Sequence, residues 1–144
     1  MVSSVMGRVA MPALGAYSMS KHAIEAMTDT LRLELAHTQM HIASVQMGAI
    51  NTPLTQRIAE HMQQWASKES RFSGLYKGMV KALQQQAKHA TPPEQVAKAI
   101  VHAVTSNKPK TRYAVGGAAK GLIAMRQFAP DAIGDQILRR ALGL

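Results

Sequence analysis

Tyr17 and Lys21 stand four residues apart in a segment with helical spacing, so their side chains share one face within a single turn. A phenol with a pKa near about 10 keeps its proton at neutral pH, but an adjacent ammonium favours the phenolate. The phenol can then exchange a proton with an alcohol or carbonyl oxygen. Ser4 lies thirteen positions before Tyr17. At a strand end it would bring its hydroxyl to the same oxygen and help hold developing charge. These residue types support proton transfer rather than nucleophilic attack, because Ser4 lacks the Gly-x-Ser-x-Gly turn of a serine nucleophile. A Tyr and Lys at this spacing are common as ordinary exposed helix residues, so their neighbours must carry the distinction.

Those neighbours form a readable order of elements. Met1 to Ser4 has the composition of a buried strand end, and Gly7 and Pro12 mark a loop. The spacing of Ile24, Met27, Leu31 and Leu35 predicts a helix from about Gly15 to Ala36 with an apolar face. His41 to Gln46 suits a short buried strand, bounded by Gly48 and Pro53. Residues 52–90 are polar and rich in Gln, and predict two or three short helices, mobile rather than core. Thr91, followed by Pro92, Pro93 and Glu94, predicts a capped helix start, with Val96, Ile100, Val101 and Val104 lining one face. Thr111 to Val115 predicts another strand, and two terminal helices follow Gly116 and Gly117. Strands alternating with helices imply an α/β layer with parallel strands. Two strands and a remnant are few for a sheet that must be covered on both faces.

The wording around Tyr17 is specific: Ser3-Ser4-Val5-Met6-Gly7-Arg8, then Pro12, then Ala16-Tyr17-Ser18-Met19-Ser20-Lys21, then Leu31-Arg32-Leu33-Glu34-Leu35. It resembles the short-chain dehydrogenase/reductase family. The resemblance implies the last strands and helices of a Rossmann-like, doubly wound parallel sheet, spanning residues 1–144 as one partial domain with substrate-covering helices at about 53–90. By the same resemblance Ser4, Tyr17 and Lys21 are catalytic, with Tyr17 the general acid/base, Lys21 also holding the nicotinamide ribose and Ser4 orienting substrate. A second match, Met47-Gly48-Ala49-Ile50-Asn51-Thr52, implies that Gly48, Ile50 and Thr52 contact an NAD or NADP cofactor. Met47 stands where the family usually has proline. Lys110 to Gly116 resembles the family's last strand, and members with such a tail often act on hydrophobic alcohols. The family's glycine-rich dinucleotide fingerprint is absent; the spacing of Gly116-Gly117-Ala118-Ala119-Lys120-Gly121 fails the pattern.

Composition narrows the alternatives. A net charge of +9 raises nucleic acid, a membrane surface or a phosphorylated cofactor as partners. The basic residues are scattered, however, and aromatics make up 4% of the chain, too few for stacking platforms, which argues against nucleic acid. Cysteine is absent, which removes disulfides and thiolate chemistry and suits a reducing, cytoplasmic setting. No run approaches the roughly 20 apolar residues of a membrane span, so the chain reads as soluble. Six histidines show no compact ligand spacing, so no metal site is expected, and the ten methionines read as core filler.

The resulting expectation is an alcohol and carbonyl oxidoreductase using NAD or NADP on a hydrophobic substrate, in a chain that looks truncated. A homo-oligomer through the 15–36 helix is expected from the family's habit of pairing there. The rival is a non-catalytic module that packs on a full-length relative through that helix. A further alternative places Met1 inside a protein about twice as long.

Overall fold

The computed structural model describes residues 1–143. In chain order the elements are β1 (Val2–Ser4), a short 3-10 turn (Val5–Gly7), α1 (Gly15–Glu34), β2 (Ser44–Met47), α2 (Pro53–Ala66), α3 (Ser73–Lys88), α4 (Pro93–Thr105), β3 (Arg112–Val115), α5 (Ala119–Phe128) and α6 (Asp131–Leu142). The strands form one parallel sheet in the order β1, β2, β3, with Ser3 opposite Gln46 and Gln46 opposite Ala114. This is the expected α/β arrangement of a Rossmann-like sheet. Alternation along the strands sends Ser3, Ser44, Gln46 and Arg112 to one face and Val45 and Tyr113 to the other. Helix α1 covers the first face, and His102 of α4 reaches Tyr113 on the second. The sheet is therefore wound on both sides.

The apolar core sits past the carboxyl ends of the strands. Val5, Val9 and Met11 of the β1–α1 connection pack with Met62 of α2, Met79 and Val80 of α3, Ala119 of α5 and Leu142 of α6. The expectation that residues 52–90 stand apart from the core is therefore corrected. Two amphipathic helices, α2 and α3, press one apolar stripe each into it, and polar composition describes only their outer faces. Helix α3 meets the end of α6 so closely that a Cβ on Gly78 would collide with the Leu142 carbonyl.

Two predicted apolar faces are also corrected. On α1 the buried residues are Ser18, Glu25 and Thr28, while Met27 is 53% exposed and Ile24, Leu31 and Leu35 are only partly covered. On α4 nothing is fully buried, and Val104 is 79% exposed. Periodicity marks which residues share a face, not which face meets the sheet. Thr91 makes no capping hydrogen bond either; Pro92 occupies the cap position. Thr91 instead lies buried in a bridge with Ile50, where its amide donates to the Ala49 carbonyl and its carbonyl accepts from Asn51. The second strand begins at Ser44 rather than His41.

Candidate active site

Helix α1 starts beyond the carboxyl end of β1 and runs back along the sheet, so its first turns lie at the edge where parallel sheets of this class bind ligands. The chain reaches this start through Ala13, which adopts the left-handed φ of 61°. Gly7 makes the seating close: a Cβ there would sit 2.8 Å from Glu25 Cγ and 2.9 Å from the Lys21 carbonyl. Lys21 Nζ donates to the Val2 carbonyl at 3.2 Å and lies 5.7 Å from the centre of the Tyr17 ring. Tyr17 is 42% exposed at the open end of the helix. The structure thus brings the ammonium and the phenol together and ties the ammonium to β1.

Ser4 closes β1, two residues beyond the carbonyl that Lys21 holds. Its hydroxyl accepts from the Met6 amide and donates to the Met47 carbonyl, both at 3.2 Å. It is buried and fixed in orientation between two strand ends. The loop after β2 is equally constrained. Gly48 donates to the Val115 carbonyl at 2.8 Å, the Thr91 bridge pins Ala49 and Asn51, and Thr55 donates to the Ile50 carbonyl at 3.3 Å. Thr52 directly precedes α2 in extended backbone and makes no side-chain cap bond. Gly48, Ile50 and Thr52 therefore sit on a tethered loop beside the end of the sheet that carries Ser4.

A charged cluster that the spacing of apolar residues did not reveal lies one turn further along α1. Glu25, 3% exposed, accepts through Oε2 from Gln46 Nε2 at 2.9 Å and Arg112 Nε at 3.0 Å, and Arg8 approaches to 3.2 Å. Arg112 also binds Asp29 at 2.6 Å, and Arg8 and Arg32 flank Asp29 at 3.7 and 3.5 Å. The Ser3 and Ser44 hydroxyls and Glu25 Oε1 are all shut off from solvent and make no hydrogen bond among the described residues. Burial pushes the Glu25 pKa upward, but the polar and cationic groups facing it, Ser3, Arg112, Gln46 and Ser44, outweigh it and hold the carboxyl below its ordinary value. The Arg112 hydrogen bond, with the charges of Arg112, Arg8 and Arg32, outweighs desolvation and lowers the Asp29 pKa as well. Desolvation opposes the Arg112 charge, yet its two carboxylate partners raise its pKa. The sequence signals for this cluster were a glutamate on the stripe of Tyr17 and Lys21 and an arginine opening the last strand.

A cavity of about 440 Å³ opens over this cluster between α1, the sheet and α5, lined by Arg8, Asp29, Arg32 and Arg112 among others, but not by Ser4, Tyr17 or Lys21. Among the described residues no group of His, Asp and Glu has the geometry to hold a metal ion. Among them too, no helix is long and apolar enough to cross a membrane.

Residues 1–63 match the family model described as short chain dehydrogenase. The uncharacterized oxidoreductase YbbO of Escherichia coli strain K12 is 32% identical over 139 residues, covering 96% of this chain and 47% of that protein. Human 17-beta-hydroxysteroid dehydrogenase type 6 is 32% identical over 152 residues, covering 97% and 47%. The crystal structure of a short-chain dehydrogenase from Streptomyces avermitilis superposes with a TM-score of 0.70 at 23% identity, covering 99% of this chain and 50% of that one. The chain spans about half the length of the curated relatives it matches.

Proposed function

We propose, from the premise that this chain belongs to the short-chain dehydrogenase/reductase family, that its residues form the proton-transfer half of an alcohol and carbonyl oxidoreductase. The observation that carries the reading is the Tyr17 and Lys21 pair, with Nζ 5.7 Å from the phenol ring centre and bonded to β1 beside Ser4. Tyr17 takes the hydroxyl proton from the alcohol during oxidation and returns it to the carbonyl oxygen during reduction. Lys21 Nζ, held 5.7 Å from the ring centre, places a positive charge beside the phenol that makes this exchange. Ser4, held between the Met6 amide and the Met47 carbonyl, orients the substrate oxygen.

A nicotinamide dinucleotide would supply or accept the hydride. Its nicotinamide end fits the residues present: Lys21 offers donors to the ribose, and the tethered loop carrying Gly48, Ile50 and Thr52 offers backbone and hydroxyl contacts at the sheet end. Among the described residues the β1–α1 connection carries Gly7 and Gly15 without the glycine-rich pattern that cradles a pyrophosphate. Either NAD or NADP is compatible with these contacts. The name of the human relative points to a hydrophobic alcohol, such as a hydroxysteroid, as the substrate class. Exposed Met19, Met27 and Leu33 on α1 support a homo-oligomer through that helix, and the same face would serve a non-catalytic subunit that pairs with a full-length relative.

The test is oxidation of a hydroxysteroid and of smaller alcohols by the purified chain with each cofactor. Tyr17→Phe is expected to lower kcat by at least about a hundredfold, the usual scale of a lost general acid/base. Cofactor-independent pairing without turnover would favour the non-catalytic reading.

A further inference from the structure

We propose that Glu25 and Arg112 are positioning residues for the Tyr17 and Lys21 pair, locking α1 in the one lengthwise register on the sheet that brings Lys21 to β1. The proposal rests on the proton-transfer reading above. Tyr17, Lys21, Glu25 and Asp29 recur every four residues and so form one stripe along α1. The sheet beneath is polar where a covered parallel sheet is ordinarily apolar: Ser3 and Ser44 have no exposed surface, and Gln46 is 2% exposed. Apolar contact is non-directional and tolerates a small slide of the helix. Hydrogen bonds to a carboxylate do not, because each has a preferred direction and a steep dependence on angle.

Glu25 Oε2 is met from three separate segments: Arg8 of the β1–α1 connection, Gln46 of β2 and Arg112 of β3. Arg112 fixes a second point one turn on, at Asp29. Gly7 lets the helix approach until Glu25 and Lys21 both lie against the β1 connection. A slip of one residue would move Lys21 about 1.5 Å along the axis and about 100° around it. Either motion breaks the 3.2 Å bond to Val2 and turns Tyr17 away from the end of β1. None of these cluster residues touches the reacting oxygen in the proposed mechanism, so their effect on turnover runs through Lys21.

The test replaces the buried Glu25 and the half-buried Arg112 by apolar side chains of similar volume, Glu25→Leu with Arg112→Met, an exchange that folded proteins can accept. Folding is checked by circular dichroism and thermal unfolding. A crystal structure reads the Lys21 to Val2 distance, and steady-state kinetics read kcat and KM separately. The expected result is a folded protein in which that hydrogen bond is lost and kcat falls at least tenfold while KM for the alcohol stays within twofold. A folded double variant with the bond intact and kcat unchanged overturns the proposal. If the double variant does not fold, Gln46→Met removes one neutral donor and leaves both arginine contacts; a smaller fall in kcat at constant KM is expected, and no change overturns the proposal. If the unaltered chain shows no oxidoreductase activity, the functional reading fails while the crystallographic distance still decides the positioning role.

Discussion

Glu25 shows why a buried charge has a pH signature. Its pKa and that of Asp29 are lowered in the folded protein, so each binds protons less readily there than in the unfolded chain. Stability from a lowered carboxyl pKa is complete above the unfolded value and is lost as pH falls through the folded one. The melting temperature should therefore hold steady from neutral pH down to the ordinary carboxyl value of 4.5 and drop steeply below it. Glu25→Leu with Arg112→Met should flatten that acid limb, as thermal unfolding between pH 7 and 3 would show. An unaltered acid limb would mean that other carboxylates control it. Removing Arg112 alone leaves the buried Glu25 charge with Arg8 and Gln46 still beside it and should cost about 2 kcal/mol in denaturant unfolding. Of the residues in the proposed proton-transfer site and its support, Tyr17, Lys21 and Ser4 were singled out from the sequence because the family wording surrounds them. Arg112 was not, since its partners lie 83 and 87 residues away.

Elements carry a different lesson. Helix α1 was evident from its spacing, but its buried face was not, because the sheet beneath offers serines, Gln46 and Arg112 rather than valine and isoleucine. The entry to α1 can be tested directly. Ala13 at φ 61° has a Cβ that crowds the following carbonyl, at roughly 1–2 kcal/mol, and glycine removes that strain at some entropic cost. Ala13→Gly should raise stability by about 0.5 kcal/mol in urea unfolding, whereas a loss would mean that the Ala13 methyl is needed for packing. Gly78→Ala should do the reverse, since its new methyl meets backbone at Leu142 rather than a movable side chain. A cost of about 2 kcal/mol is expected, in the range for overpacking. Its absence would show that α6 can shift freely against α3.

For the whole molecule, the distribution of exposed apolar surface is the main fact. Met19, Met27 and Leu33 on α1 and Val101 and Val104 on α4 face solvent while the core lies past the strand ends. The chain covers about half the length of the curated relatives it matches. If α1 joins two copies, light scattering on a sizing column should give twice the chain mass, and Met27→Lys with Leu33→Lys should halve it by placing charges in the contact. A monomer for the unaltered chain would remove the homo-oligomer from the reading.

The sequence by itself carried the family resemblance, the α/β alternation and the Tyr17, Lys21 and Ser4 spacing that the proposed mechanism uses, because these depend on short local spacings and on wording that survives without a partner strand. Only the tertiary structure decided which face of α1 is buried, that α2 and α3 belong to the core, and that Thr91 and Arg112 hold distant loops. Those outcomes depend on what lies across the interface, and a stretch of sequence read one element at a time carries no record of its neighbour.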